Sequence, residues 1–404
     1  MIVSVVGLGY VGLTLSVGMA KAGHRVFGYD SNNVVIDQLL KGITFVPGVR
    51  ENELKELINT KAFIPSNNSN CLTDSEVIVI AVPTPLDRFR EPDLSFLKSA
   101  VTEISKKIKS GTLLVNESTS YPGTLRNFIK PIIQSHSQVK VNYASAPERV
   151  DPGNEKWELK NTPRIVSGLT KESSTLVFEF YSTFCDIVHQ VGSPEIAEAS
   201  KIFENTFRQV NIALANEFSN ISAIFGFSAH EAISAASTKP FGFMPFWPSI
   251  GVGGHCIPVD PLYLTFAVEN LGLSTPLISL ASTINLEMVG NVVDRIEKFV
   301  GKSLSESKIQ IAGIAYKSDV SDTRESSGIL LLNELRKRGA RTSFHDPLVK
   351  YVDGEQSVSL SPNVDIGLIV TPHKNIDFSI WKNSTVRVLD LSPNSSNFGW
   401  PKFL

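Results

Sequence analysis

The first thirty residues limit the fold of this chain more than any other stretch. The apolar, β-branched run 2–6 leads into GLGYVG, in which Gly7, Gly9 and Gly12 have the spacing G-x-G-x-x-G. A helical pattern follows, and a second strand-like stretch, RVFGYD, ends in Asp30. A buried strand, a glycine-rich turn, a helix and an acidic residue about 20 positions later predict the first βαβ unit of a dinucleotide-binding sheet.

Each of these residues has a physical role in the predicted site. Gly7 and Gly9 lack a Cβ, so the backbone can approach a pyrophosphate, and the helix N-terminus offers unpaired N–H groups to it. Asp30 would accept hydrogen bonds from ribose hydroxyls and would repel a 2′-phosphate, which favours NAD over NADP. The alternative is a tight strand-to-helix turn that holds no ligand.

Further apolar, strand-like segments alternate with helix-length spacers along the first half of the chain. They lie at 76–86, 111–119, 141–150 and 164–169. This alternation predicts an α/β fold with a doubly wound parallel sheet, whose ligands bind at the carboxyl ends of the strands. Polar residues at those ends are candidate site residues: Thr84, Glu117–Thr119 and Glu148–Arg149. Any one of them could equally be a helix cap or a turn residue.

One long helix is predicted from Pro194 to Gly226, because this stretch is rich in helix formers and has no internal proline. Lys201, Asn205 and Arg208 lie at i, i+4 and i+7, so they share one face. Two cations and an amide on one stripe could bind an anion or an oxyanion. The alternative is a solvated face with a Glu198–Lys201 ion pair.

The chain beyond this helix divides into a helical region and a second, smaller α/β domain. We predict an NAD-binding Rossmann domain at 1–193, a central helical region at 194–302 and a C-terminal α/β domain at 303–404. The last of these lacks G-x-G-x-x-G, although its AGIAYK turn before a serine-rich helix start could hold phosphates. The apolar stripe of the long helix looks wider than one packing face requires, which favours a homodimer or a higher homo-oligomer.

The stretch GVGGHCIPVD at 251–260 is unusual because a cysteine kept only for packing needs no flanking glycines. Beside an NAD domain, a loop thiol favours covalent chemistry. Cys256 would add to an aldehyde, and hydride loss to NAD would leave a thioester that water cleaves to an acid. The glycines would let the loop press against the substrate and the nicotinamide. Asp260 is near enough to activate water, and Lys201 and Asn205 could stabilise an oxyanion.

The alternative for Cys256 is that of a buried small hydrophobe, which is the role expected of Cys71 and Cys185. Three widely spaced cysteines form neither a disulfide framework nor a zinc pattern, and they fit a reducing cytoplasm. No metal site is expected at His255, Cys256 and Asp260, since no ligand cluster of standard spacing accompanies them.

Charge and hydropathy exclude other classes of protein. The formal net charge is -2, so the chain has no excess of positive charge that would attract nucleic acid or an anionic membrane surface. The N-terminus has no basic n-region, so we do not expect a signal peptide. No apolar run reaches about 18 residues, so we do not expect a membrane span.

Motifs along nearly the whole chain resemble those of the UDP-glucose/GDP-mannose dehydrogenase family. They are GLGYVGL at the start, VPTPL…REPDLSFL at 82–97, NESTSYPGT at 116–124, APERVDPGN at 146–154, AEASKIFENTF at 197–207, GVGGHCIPVDPLYL at 251–264 and AYKSDVSDTRESSG at 315–328. Family members oxidise the C6 alcohol of a nucleotide sugar to a carboxylate with two NAD. REPDLSFL and ERVDPGN resemble the branch that acts on UDP-N-acetylhexosamines, especially the UDP-N-acetylglucosamine 6-dehydrogenases.

The resemblance implies a role for each matching position. Cys256 is the implied nucleophile, and Lys201 is the implied general acid/base or oxyanion partner. Asn205 and Asp260 would position or activate water, and Thr119 and Glu148 would assist. The implied NAD contacts are Tyr10, Val11, Asp30, Thr84, Thr119 and Arg324. The implied UDP-sugar contacts are Arg149, Val150, Lys201, Asn205, Arg208, Gly253, Tyr316 and Lys317.

Two segments depart from the family pattern. WPSIG at 247–251 replaces the PGPG expected before the cysteine loop, and DLSPNSS at 390–396 replaces D-x-R-N and removes an arginine near the expected uridine pocket. The leading hypothesis is a cytoplasmic UDP-N-acetylglucosamine 6-dehydrogenase that makes a uronic acid for surface polysaccharide. UDP-N-acetylmannosamine and UDP-glucose are the rival substrates. Two other classes stay open: a two-electron β-hydroxyacid dehydrogenase, and an NAD-binding homologue without catalysis.

Overall fold

The computed structural model describes residues 1–150, 154, 156–254, 256–269, 271–393 and 398–404. The strands are β1 (Ile2–Val6), β2 (Arg25–Tyr29), β3 (Phe63–Ser66), β4 (Val77–Ile80), β5 (Leu113–Asn116), β6 (Asn142–Ser145), β7 (Arg164–Gly168), β8 (Val188–Gln190), β9 (Lys308–Ala312), β10 (Arg341–His345), β11 (Tyr351–Val352), β12 (Glu355–Gln356), β13 (Ile366–Ile369) and β14 (Arg387–Asp390). The helices are α1 (Tyr10–Lys21), α2 (Asn33–Leu40), α3 (Glu51–Asn59), α4 (Ser95–Ser105), α5 (Lys130–His136), α6 (Lys171–Ser182), α7 (Pro194–Phe225), α8 (Ala229–Ala236), α9 (Asp260–Glu269), α10 (Pro276–Val300), α11 (Ser327–Lys337) and α12 (Ser379–Lys382).

The chain forms two compact units. The first contains residues 1–204 and 262–273, and the second contains residues 205–261 and 274–404. The predicted long helix is confirmed as α7, which has 32 residues. Part of the ERVDPGN motif, His255 of the cysteine loop and all of NSS at 394–396 fall on positions outside the described residues.

The first unit is built on a sheet with the strand order β3-β2-β1-β4-β5-β6-β7-β8. Alternate side chains of β4 enter two different apolar clusters: Val77 and Val79 pack in one, and Ile78 and Ile80 pack in the other. A strand buried on both faces needs helices on both sides, which explains why these segments read as continuous apolar runs. The α/β class and the doubly wound arrangement are confirmed.

The sheet departs from the predicted parallel arrangement at one pair, because β7 runs antiparallel to β6, with Ala144 opposite Gly168. Parallel neighbours require a crossover connection, usually a helix. The described residues between these two strands contain no helix, so the chain returns along the same edge in the opposite direction. The irregular connection follows Glu148, and it thereby places the start of β7 beside that residue.

The second unit contains a parallel sheet with the order β10-β9-β13-β14 and a small antiparallel pair, β11 with β12. Met288, Val292 and Ile296 of α10 pack with Ile309 and Ile311 of β9 in its apolar core. In the described part of the chain, α10 is the one helix long and apolar enough to cross a membrane by length and composition. Its packing in this core accounts for that composition in its C-terminal half.

Candidate active site

The glycine-rich turn after β1 is shaped mainly by close packing within the protein. Gly7 has φ +92°, and a Cβ there would lie 2.7 Å from the carbonyl oxygen of Ala81. A Cβ on Gly12 would lie 1.8 Å from the carbonyl oxygen of Gly7. Gly9 differs, because a Cβ there would have no atom within 4 Å. Thus Gly7 and Gly12 permit the turn itself, while Gly9 leaves open space at the start of α1.

This turn and Asp30 fit an NAD molecule. The Asp30 carboxylate accepts hydrogen bonds from the backbone N–H of Leu8 and of Asn32, each at 2.8 Å, so it is fixed beside the turn. No side chain caps the N-terminus of α1, and its first turn carries no acidic residue. Unpaired N–H groups at an open helix start suit a diphosphate, and a fixed carboxylate suits ribose hydroxyls.

The other predicted NAD contacts lie at different places. Tyr10 and Val11 are half-buried in the first turn of α1, and Thr119 is half-buried after β5. Thr84 is buried, and its carbonyl oxygen accepts a hydrogen bond from the Tyr263 hydroxyl at 3.0 Å. The exposed Arg324 belongs to the second unit, where its guanidinium pairs with Asp322 at 2.6 Å. Contact of these residues with NAD stays a prediction.

Glu117 is a buried structural acid rather than an accessible one. One carboxylate oxygen accepts from Arg164, and the other accepts from the Tyr181 hydroxyl. Burial raises the pKa of Glu117 to about 7, against the opposing effect of the Arg164 charge. Sequence reasoning missed Arg164 and Tyr181. A charged residue at the start of the strand-like RIVSGL was the available signal, since buried arginines are rare without a partner.

Glu148 is held at one oxygen. Its Oε1 accepts from the backbone N–H of Arg149 and of Val150, and from Nη1 of Arg164, each at 2.6 Å. The Arg149 guanidinium pairs with Glu204 at 2.6 Å and donates to the Pro163 carbonyl oxygen at 2.7 Å. Val150 thus contributes through its backbone, and substrate contacts of Arg149 and Val150 stay predictions.

The predicted polar stripe on α7 is only partly exposed to solvent. Lys201 is half-buried, Asn205 is buried and Arg208 is exposed. Glu198 is buried and accepts hydrogen bonds from the backbone N–H of Gly123 at 2.6 Å and of Leu125 at 2.9 Å. The alternative of a Glu198–Lys201 ion pair is therefore wrong. Burial raises the pKa of Glu198 to about 7, opposed by these two backbone donors.

Hydrogen bonds of Asp260, the first residue of α9, join the cysteine loop to α7. Asn205 Nδ2 donates to Asp260 Oδ2 at 2.5 Å, and the Asp260 backbone N–H donates to the Cys256 carbonyl oxygen at 2.8 Å. Asn205 and Asp260 are buried, whereas Cys256 is exposed. The structure therefore brings together three predicted catalytic residues, and it rules out the interpretation of Cys256 as a buried hydrophobe.

Of the other two cysteines, Cys185 has the predicted burial and Cys71 has it only in part. Cys185 is buried and Cys71 is half-buried. Burial raises the pKa of the Cys71 thiol to about 11 and that of Cys185 to about 12. Because the thiolate is the reactive form, neither side chain is suited to nucleophilic chemistry near neutral pH.

The glycines of the loop seat it against its own unit. Gly251 has φ +88°, and a Cβ there would lie 2.5 Å from the carbonyl oxygen of Asn285 in α10. A Cβ on Gly254 would lie 2.9 Å from the Tyr316 ring, and one on Gly253 would lie 3.0 Å from the Glu325 carbonyl oxygen. The predicted substrate residue Tyr316, followed by the half-buried Lys317, thus packs directly on the cysteine loop. Packing, as well as any substrate, explains the glycines.

A buried polar network that sequence reasoning missed holds the WPSIG segment. Asn216 of α7 donates to Asn285 Oδ1 at 2.9 Å, and its own Oδ1 accepts from the Ser249 backbone N–H at 2.7 Å. Ser249 also donates to the Gly251 carbonyl oxygen at 2.5 Å. The departure from the expected PGPG is therefore fixed to α7 and α10 by hydrogen bonds.

The second unit repeats the turn of the NAD site without its motif. Gly313 follows β9 with φ +83°, and a Cβ there would lie 1.8 Å from the Thr371 carbonyl oxygen. Asp346 after β10 accepts from the Ile314 backbone N–H at 2.8 Å, as Asp30 does after β2. Asp346 is buried and also accepts from His373 at 2.9 Å, so it differs from the half-buried Asp30. The Ala315 backbone N–H also donates to Asp346, at 3.1 Å, so this carboxylate is engaged by the turn itself. Nucleotide binding at this turn stays a prediction.

The DLSPNSS segment that lacks the expected arginine has a lysine nearby. Lys402 Nζ lies 3.0 Å from Asp390 Oδ2 and donates to the Ser392 hydroxyl at 2.6 Å. Among the residues that the structure describes, no group of three or more His, Cys, Asp or Glu side chains is placed to hold a metal ion.

Three family models match most of the chain. The NAD binding domain of the UDP-glucose/GDP-mannose dehydrogenase family matches residues 1–185, its central domain matches residues 195–287 and its UDP binding domain matches residues 310–391. The cofactor of the first unit is therefore NAD, and the C-terminal match indicates a UDP-sugar as the substrate.

Individual relatives agree with these matches. A UDP-N-acetyl-D-glucosamine 6-dehydrogenase of Pseudomonas aeruginosa is 33% identical over 368 residues, which are 89% of this chain and 86% of the relative. A UDP-N-acetyl-D-mannosamine dehydrogenase of Pyrococcus horikoshii is 33% identical over 391 residues, which are 94% of this chain and 91% of the relative. A solved structure of a UDP-D-ManNAc dehydrogenase from Pyrococcus horikoshii has a TM-score of 0.86 and 30% identity, covering 100% of this chain and 97% of that chain.

Proposed function

Since the chain belongs to the UDP-glucose/GDP-mannose dehydrogenase family and is an NAD-dependent nucleotide-sugar dehydrogenase, we propose that it oxidises C6 of UDP-N-acetylglucosamine to a carboxylate. The observation that carries a four-electron reaction is the exposed Cys256 thiol, whose loop is joined through Asp260 to Asn205. A thiol in this setting can retain a half-oxidised sugar between two oxidations.

The residues of the chain act in sequence on the sugar. NAD supplies the hydride acceptor, and it would be held by the turn at Gly9, the start of α1 and Asp30. Once C6 is an aldehyde, the Cys256 sulfur adds to its carbon, and a proton from Lys201 goes to its oxygen. Loss of hydride to a second NAD and return of that proton to Lys201 leave a thioester on Cys256. Water positioned by Asn205 then attacks the thioester carbon while Asp260 takes its proton. The C–S bond breaks, that proton passes to the sulfur, the acid is released and the Cys256 thiol is restored.

Thr119 and Glu148 assist these steps from the first unit in this proposal. Arg149, Val150, Arg208, Gly253, Tyr316 and Lys317 bind the UDP-sugar. In this proposal region 1–193 binds NAD, region 194–302 supplies the thiol and region 303–404 binds UDP. Free thiols throughout the described residues support a reducing, cytoplasmic setting, and the uronic acid would serve surface polysaccharide.

The choice of sugar rests on REPDLSFL, on ERVDPGN and on the similarity to the Pseudomonas aeruginosa enzyme. UDP-N-acetylmannosamine is the second candidate, because the Pyrococcus horikoshii dehydrogenase is equally identical at 33%. Both carry an acetamido group at C2 where UDP-glucose has a hydroxyl, and a site can recognise that group by hydrogen bonds.

Comparison of kcat/KM for NADH formation with the three sugars tests the assignment. We expect UDP-N-acetylglucosamine to exceed UDP-N-acetylmannosamine and UDP-glucose by about tenfold or more, corresponding to about 1.4 kcal/mol of transition-state discrimination. A higher value with UDP-N-acetylmannosamine would transfer the assignment to the second candidate. A higher value with UDP-glucose would reject the acetamido assignment altogether.

We also propose a homodimer formed through the helices of the second unit. Ile224 and Phe225 at the end of α7 are 83% and 76% exposed, and Leu277 and Leu280 of α10 are 64% and 58% exposed. Exposed apolar side chains in such numbers indicate an interaction surface. Sedimentation equilibrium is expected to give about twice the chain mass of 44.2 kDa. A single species at the chain mass would contradict the dimer.

A further inference from the structure

A buried ion cluster in the first unit lies behind Glu148 and has no part in the steps given above. Glu117 at the end of β5, Arg164 at the start of β7 and Tyr181 of α6 form this cluster. The side chains of Glu117 and Arg164 are both 0% exposed. Both oxygens of Glu117 are occupied, one by the guanidinium and the other by the phenol.

One terminal nitrogen of the Arg164 guanidinium binds Glu117, and the other binds Glu148. Arg164 Nη1 donates to Glu148 Oε1 at 2.6 Å, and the same oxygen accepts the two backbone N–H groups that follow it. Within the described part of the chain, no hydrogen bond reaches the other oxygen, Oε2. Glu148 keeps 13% of its side chain exposed, so the cluster extends from fully buried side chains to a partly exposed carboxylate.

The charges of the cluster define which groups can donate. Although burial acts to lower it, Glu117 and Glu148 hold the pKa of Arg164 well above its ordinary value. Burial and the nearby Glu117 charge raise the pKa of Tyr181 well above its ordinary value, so the phenol stays a neutral donor. The neighbouring Cys185 thiol, with its pKa raised to about 12 by burial, also stays neutral. Arg164 is thus the permanent cation that faces Glu148.

A purely structural ion pair would not need this geometry. Neutralising Glu117 requires one prong of Arg164, and that contact already joins β5 to β7. The bond from Nη1 to Glu148 does not help to neutralise Glu117, but it fixes the direction of the Glu148 carboxylate. A planar guanidinium can do this because its prongs have a rigid angle between them.

We propose that Arg164, itself fixed by Glu117 and Tyr181, is a positioning residue that engages Oε1 of Glu148 and leaves Oε2 for the reaction. This inference rests on the proposed role of Glu148 in assisting the chemistry. It assigns the cluster a function beyond holding the sheet together, and it predicts that the loss of Arg164 is felt only through Glu148.

The test uses the whole chain and a charge-matched pair of substitutions. Arg164→Met combined with Glu117→Gln removes both fully buried charges together, so Glu117 is not left as an unpaired ion in the interior. We expect this variant to bind NAD normally and to keep its KM for the UDP-sugar, while kcat falls about 30-fold or more. Adding Glu148→Gln should lower kcat by no more than about threefold further, because residues that act as a unit are not additive.

A matched control exists in the same unit. Arg126 pairs with Glu195 on the surface, at 2.6 Å, with side chains 48% and 31% exposed. Arg126→Met combined with Glu195→Gln should change kcat by less than about twofold, since exposed ion pairs contribute little. If the buried double variant does not fold, Arg164→Lys keeps the charge beside Glu117 with a single prong. We expect that variant to fold and to lose about tenfold in kcat.

The outcomes separate this inference from the proposed function. Full kcat in a folded Arg164 variant, with a slow Glu148→Gln enzyme, would overturn the positioning role and leave the function of Glu148 intact. Fully additive losses would also overturn it, because Arg164 would then act elsewhere. Wild-type turnover by Glu148→Gln would refute the role of Glu148, and the inference would fall with it.

Discussion

Replacing Cys256 with serine is expected to lower kcat for NADH formation by a factor of about 10³ or more. The thiol is exposed on a loop whose backbone is fixed at Gly251, Gly253 and Gly254, and a serine hydroxyl in its place is a much weaker nucleophile. Serine is nearly isosteric, so the loop and NAD binding should be preserved. Steady-state NADH formation and NAD titration measure the two properties separately.

Cys71 provides the matched control for this substitution. Its thiol is half-buried, and burial raises its pKa to about 11, so Cys71→Ser should change kcat by less than about twofold. An enzyme with Cys256→Ser that retained most of its rate would contradict the covalent mechanism. That result would favour the two-electron β-hydroxyacid dehydrogenase class, which needs no thiol.

Replacing Asp260 with asparagine is expected to stall the enzyme after its oxidations. In the native chain Asn205 Nδ2 donates to Asp260 Oδ2 at 2.5 Å, and the amide oxygen of the new side chain can still accept this hydrogen bond. The hydrogen bond from the backbone N–H of residue 260 to the Cys256 carbonyl oxygen is unaffected. The general base is lost, however, so thioester hydrolysis should slow by a factor of about 10². Stopped-flow absorbance should therefore show a rapid NADH burst followed by slow turnover.

Asp294→Asn is the control for this second substitution, because Asp294 is an exposed acid of α10 in the same unit and pairs with Arg338. It should keep wild-type kinetics and show no burst. Slow turnover of Asp260→Asn without any burst would place Asp260 before the thioester. Wild-type turnover would remove it from the mechanism.

The parts of this fold that depend on local pattern could be predicted from the sequence. The turn from β1 into α1, the length of α7 and the end of α10 at Gly301, which has φ +75°, all follow from residue spacing and from glycine at positions of positive φ. The C-terminal sheet was predicted for the same reason, because its strands are short apolar runs between helical segments.

The parts that depend on long-range contact could not be predicted. Glu198 looked like the partner of Lys201 one turn away, yet it binds backbone groups about 75 residues earlier. Arg164 meets Glu117 and Glu148 only because β7 turns back against β6. Spacing along a chain cannot show which distant backbone or side chain satisfies a buried polar group.

The same limit applies to the turn after β9. Gly313 and Asp346 have the geometry of Gly7 and Asp30, but no G-x-G-x-x-G follows β9. The shared feature is a backbone donor to an acid at the end of the next strand, which only the fold reveals. The WPSIG segment is similar, because its Ser249 is held by an asparagine of α7 that no motif marks.

The most direct measurement for the whole account is the ratio of NADH formed to sugar consumed, with the products identified. A sulfur that retains the aldehyde until the second oxidation requires two NADH for each uronic acid and no aldehyde in solution. One NADH per sugar, with the free C6 aldehyde as the product, would contradict it.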